Sequence, residues 1–139
     1  MLTVPDNARH VLSVHDPLLD LLHVPPSGEP RVPFFHPRDG MDDAFADAFR
    51  SRFGERFALL PVADSDALQL WGPEPHTELA RERTGRFIAL SDGPDVLLYE
   101  ASRPGVIDGS APATHAFADV RGFHAGLSPD EMRIPLIVV

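Results

Sequence analysis

The chain has 139 residues, a single-domain length, and its 43% hydrophobic and 24% charged residues exclude the disordered and collagen-like classes. A net charge of −9, with every basic residue an unclustered arginine, argues against a nucleic-acid surface or an anionic membrane. With no cysteine, no apolar run near the roughly 18 residues of a membrane span and no signal-peptide pattern at Met1-Leu2-Thr3-Val4-Pro5, the sequence reads as soluble and cytoplasmic, without disulfides or thiolate zinc sites.

Fifteen prolines punctuate the chain and disfavour long helices. Residues 1–30 read as a mostly irregular lead-in. Within it Asp16-Pro17 carries the start signal of a short helix that Pro25-Pro26 ends, and residues 27–30 form a turn. Residues 31–36 predict a strand, with Pro33 suited to an edge or a bulge. Asp39 is placed to cap the next helix. Met41, Ala44, Phe45, Ala48, Phe49 and Phe53 fall on one apolar stripe, and Gly54 ends it. Residues 57–60 predict a second strand. Asp64 or Ser65 caps a short helix through Leu70, and another runs from Thr77 to Arg83. Residues 87–90 and 96–99 read as two strands joined over a connector of hairpin length. The order over residues 31–100 predicts an α/β or α+β subdomain, a small sheet with helices packed on it. Residues 101–139 follow as a third unit, a long loop to residue 123 and then Ser128-Pro129-Asp130-Glu131, a capping box with proline at the first helical position. Residues 134–139 form an apolar run, the pattern of a strand buried on both faces of a larger sheet.

The seven histidines, His10, His15, His23, His36, His76, His115 and His124, show no i, i+4 pair of a zinc helix. His115 and His124 flank one loop and could converge with Asp119 on a metal, and Asp6, His10 and Asp16 form a weaker set. Ser13, Ser102 and Ser110 lack a nucleophile elbow and read as turn and cap residues. Asp42, Asp43, Asp130 and Glu131 occupy helix starts, where the backbone dipole accounts for them. Gly105 and Gly109 lack the helix and lysine of a phosphate loop. Trp71, Phe87 and Tyr99 read as core. The strongest single candidate is His124, an imidazole on a loop between small residues and suited as a neutral metal ligand.

Gly122-Phe123-His124-Ala125-Gly126-Leu127-Ser128-Pro129-Asp130-Glu131-Met132-Arg133-Ile134-Pro135-Leu136 resembles the C-terminal signature of the phosphodiesterase and nucleotide pyrophosphatase branch of the alkaline phosphatase superfamily. There the histidine is commonly followed by two glycines; here Ala125 stands in the first glycine's place. Residues 31–36, Phe53-Gly54-Glu55-Arg56-Phe57 and Leu70-Trp71-Gly72-Pro73 also resemble the insert, or cap, of that branch. The resemblance spans roughly residues 25–139. It implies a two-metal phosphoric-ester hydrolase using zinc or manganese, with His124 as the last metal ligand and residues 31–100 as a cap over the site. It also implies that the terminal strand belongs to a larger sheet. The family's Asp-His-Gly strand end and its Thr or Ser nucleophile have no counterpart in this sequence. The expectation is therefore a C-terminal fragment, inactive and without a tightly bound metal by itself, completed by an upstream catalytic portion or by a second copy covering the last strand. The competing expectation is a non-enzymatic α/β binding or interaction module whose partner covers that strand.

Overall fold

The computed structural model describes residues 2–100 and 120–133. Their strands are β1 (Leu2–Thr3), β2 (Arg9–Leu12), β3 (Leu22–Glu29), β4 (Val32–Pro37), β5 (Phe57–Pro61), β6 (Phe87–Ser91), β7 (Val96–Tyr99) and β8 (Gly122–Phe123). The helices are α1 (Pro17–Asp20), α2 (Asp42–Phe53), α3 (Val62–Ala67), α4 (Glu78–Thr84) and α5 (Pro129–Met132), and a 3-10 turn spans Asp6–Ala8. The architecture is mixed α/β: an antiparallel sheet of order β3-β4-β6-β5, a parallel pair β2-β7 and an antiparallel pair β1-β8.

Alternation along the central strands sorts side chains to two faces, as the two-residue period of a strand requires. Phe35, Phe87 and Ala89 point into the main core with Phe45, Ala46, Phe49 and Phe53 of α2. Ile88 and Leu90 point the other way, onto Val32, Val62 and the partly buried Leu127. The sheet is thus covered by α2 on one face and by α3 and residue 127 on the other. Helix α2 follows its sequence signals. Asp42 and Asp43 lie in its first turn, Arg50 and Arg52 in its last, and the Gly54 amide closes it on the Arg50 carbonyl at 2.9 Å. Its buried stripe is Phe45, Ala46, Phe49 and Phe53, while Met41, Ala44 and Ala48 are exposed.

Several expectations need correction. Residues 1–30 are not irregular: they contribute three strands and α1, where the Asp16 carboxylate accepts the Leu18 amide at 3.0 Å. Local patterning hides β3 because Pro25-Pro26 sits inside it; register shifts between Leu22 and Ser27 accommodate the missing donors. The turn falls at Pro30-Arg31, and Gly28 lies within β3 at φ +84°. Strand β4 is internal, yet its ladder with β6 joins only Phe34 to Ile88 and Phe35 to Phe87, so Pro33 lies outside that ladder. Asp39 does not cap α2; Met41 holds that position without a side-chain bond, and the Asp39 carboxylate faces Arg86 at 3.5 Å. Helix α3 starts at Val62, directly after Pro61, and ends at Ala67. Strands β6 and β7 form no hairpin. Strand β6 is flanked by β4 and β5 and has no free edge, so β7 pairs with β2 instead. The loop expected to residue 123 ends in β8. Its residues 101–119 and the strand expected at 134–139 lie outside the described residues.

Candidate functional site

His124 is exposed, at the start of a short bridge between two anchors. On one side Phe123 is buried among Val4, Ala8, Val96 and Leu98, and β8 pairs with β1. On the other side the Leu127 amide donates to the Ser91 carbonyl at 2.8 Å, tying the segment to the end of β6. Between them Ala125 has φ +73°, in the left-handed region that glycine enters freely and alanine does not.

The second anchor rests on a buried cation. Arg31 is 0% exposed, and one guanidinium nitrogen donates both to the Gly93 carbonyl at 2.7 Å and to a Glu131 carboxylate oxygen at 2.6 Å. That same oxygen accepts the Ser128 hydroxyl at 2.5 Å, and the other accepts the Gly126 amide at 3.3 Å. The capping box is therefore rearranged. Ser128 is the N-cap residue of α5, but its hydroxyl donates to the Glu131 side chain instead of accepting a helix amide. Gly126 lies against the guanidinium so closely that a Cβ there would overlap it. Burial pushes the Glu131 carboxyl up, but the hydrogen bonds from Ser128 and Arg31, with the charge of Arg31, outweigh it and hold the group below the ordinary glutamate range. Among the described residues the buried Arg31 Nε has no partner, a local cost inside an otherwise satisfied network.

Two other polar clusters stand apart. Asp66 accepts from His76 and, at 3.2 Å, from Arg81; desolvation pushes its carboxyl up, and the His76 hydrogen bonds outweigh this and hold it down. Beside them the Trp71 Nε1 donates to the Ser65 hydroxyl at 2.8 Å, and the Trp71 ring stands edge-on to His76. Trp71 is thus not core, as the sequence suggested, but 44% exposed. His10 meets Asp95 at 2.6 Å and stands edge-on to Phe53 and Phe57.

His124 therefore has the accessibility of a ligand. Asp16 and His10 are engaged elsewhere, with Arg52 and Asp95 respectively. Among the described residues no three His, Asp or Glu side chains gather as a metal cage, so they do not fit a complete catalytic metal site, which takes about three protein ligands. His115, Asp119, Ser102 and Ser110 lie outside the described residues. The sequence reading missed Arg31 altogether and took Glu131 only as a capping residue. The spacing of Ser128 and Glu131 signals the second; nothing local signals the first. No helix among the described residues is long and apolar enough to cross a membrane. Comparison of the chain with protein-family models, with curated protein sequences and with solved structures returns no match.

Proposed function

We propose that this chain supplies His124 as one metal ligand, and residues 31–100 as a cap, to a metal-dependent phosphodiesterase of the alkaline phosphatase type. Cytoplasmic action and a terminal strand that joins a larger sheet belong to the same reading. The observation that carries it is the construction of residues 122–133. An exposed imidazole projects from a bridge fixed at both ends, and the following residue is held in a glycine-like conformation where the resembling family has glycine. A solvent-facing histidine with no structural task does not require a buried arginine and a carboxylate to hold its neighbours. Because the described donor set does not complete a cage, the remaining ligands and the nucleophile must come from residues outside it. No catalytic step is assigned to the chain alone.

The test is hydrolysis of bis(4-nitrophenyl) phosphate with added zinc or manganese. The 139-residue chain is expected to give no turnover. Co-expression with the polypeptide encoded directly ahead of the Met1 codon is expected to give turnover that His124→Ala removes. Turnover by the chain alone, or turnover of the pair that survives His124→Ala, overturns the reading.

A further inference from the structure

The backbone that follows His124 forms part of a second feature. Ala125, Gly126 and Leu127 line an open pocket of about 440 Å³, whose other walls include Phe34, Trp71, Leu90 and Met132. That volume lies in the range of small-molecule sites, roughly 300–1,000 Å³, and suits one substituted ring. The walls are prearranged. Trp71 is fixed by its bond to Ser65 and its edge contact with His76, and its ring lies 5.8 Å from that of Phe34 at a 36° tilt. The floor is fixed by Arg31 and Glu131.

Charge restricts the occupant. Glu29 is the only charged side chain among the described lining residues, and it is exposed. Arg31, beneath the floor, is fully buried and neutralised by Glu131, so it offers nothing to an anion in the pocket. Among the described lining residues an anionic group would meet Glu29 and apolar carbon; an uncharged ring would meet two aromatic and several branched aliphatic side chains.

We infer that this pocket binds an uncharged aromatic group, which on the phosphodiesterase reading is the alcohol-derived arm of the ester. The identity of the ester rests on the phosphodiesterase reading; occupancy of the pocket does not. The substrate class is accordingly a diester with one apolar aryl arm. A polyphosphate or any arm bearing its own negative charge is excluded from the pocket.

Trp71 is the sole tryptophan, so its emission reports the pocket directly. The metal-free chain is titrated with 4-tert-butylbenzyl alcohol and 4-tert-butylbenzoate, which differ chiefly in charge. The alcohol is expected to shift Trp71 emission saturably, with a Kd on the order of 0.1–1 mM for a ligand of this size. The benzoate is expected to bind at least about tenfold more weakly, a gap of about 1.4 kcal/mol. Glu29→Gln, at an exposed position, narrows that gap, and Met132→Asp, at a position 60% exposed and so compatible with folding, abolishes the alcohol response. The inference is overturned by no saturable shift, by equal affinity for the two ligands, or by an unchanged Met132→Asp response. A shift that tracks protein concentration without ligand also overturns it, since a second copy would then cover the pocket. Because no metal or turnover enters this measurement, its failure leaves the His124 assignment standing, and failure of the hydrolysis test leaves the pocket standing.

Discussion

Around α2, Phe35, Phe45, Phe49, Phe53 and Phe57 pack ring on ring, with neighbouring centroids between 5.0 and 6.5 Å apart. At residues 122–133 the chain is held instead by a two-residue strand and by one carboxylate that gathers a hydroxyl, an amide and a buried guanidinium. The first region draws its stability from area and shape, contributions that are numerous, individually small and indifferent to pH. The second concentrates its hold in a few charged bonds, so it should fail as a unit and respond to acid. That contrast suits a rigid frame carrying a segment whose geometry matters more than its bulk.

The largest expected effect breaks the frame. Phe49 is fully buried and touches four other rings, so Phe49→Ala should cost about 3–5 kcal/mol and be read as a lower urea midpoint for the whole chain. Glu131→Gln should cost less, about 1.5–3 kcal/mol, because it weakens charge-assisted bonds while keeping the side chain's shape. Its effect should also be local, seen as faster amide exchange at Gly126 and Leu127 with little change at α2. If Glu131→Gln loosened α2 as much as the segment, the two regions would not be separable and the contrast would fall.

The same division governs what was legible in the sequence. Helix α2 announces itself by the spacing of Phe45, Phe49 and Phe53, and α4 by Thr77, whose hydroxyl accepts the Ala80 amide at 3.2 Å. These are local rules, satisfied within a few residues. Strand β2 was missed because its partner, β7, lies 87 positions away (Arg9 opposite Val96) and its four residues carry too little pattern. Strand β3 was missed because two prolines read as a stop when only the pairing with β4 explains them. At the candidate site, His124 and the Ser128–Glu131 spacing were visible, but the guanidinium that organises them comes from residue 31, 100 positions upstream. An arginine beside a turn reads as solvated until the fold buries it.

Acid should separate the regions without any mutation. Glu131 titrates below its ordinary value of 4.5 in the folded chain, so its contribution is complete above that value. It is lost as pH falls through the lower folded value, because the unfolded chain then binds the proton first. The protection of the Gly126 and Leu127 amides, relative to the unstructured exchange rate at the same pH, should fall in that acid window, by no more than Glu131→Gln lowers it at neutral pH. Asp66 is held low in the same direction by His76 and Arg81, so the Glu131 share is isolated as the acid sensitivity that disappears in the Glu131→Gln variant. Equal acid sensitivity in both proteins would remove Glu131 from the account.

The smallest expected effect sharpens the comparison at one residue. Ala125 holds φ +73°, which costs an L-residue roughly 1–2 kcal/mol, whereas nothing in the frame around α2 asks this of its chain. Ala125→Gly removes that strain but adds backbone freedom to the unfolded state, worth roughly 0.5–1 kcal/mol in the opposite direction. The net is a gain of about 0.5 kcal/mol, or about 2 °C in Tm for a domain of this size. A calorimetric Tm that rises would place the strain in the bridge beside His124, where the resembling phosphodiesterases have glycine. A Tm that falls would mean that the bridge is not held left-handed in solution, and the rigid presentation of His124 would lose its footing.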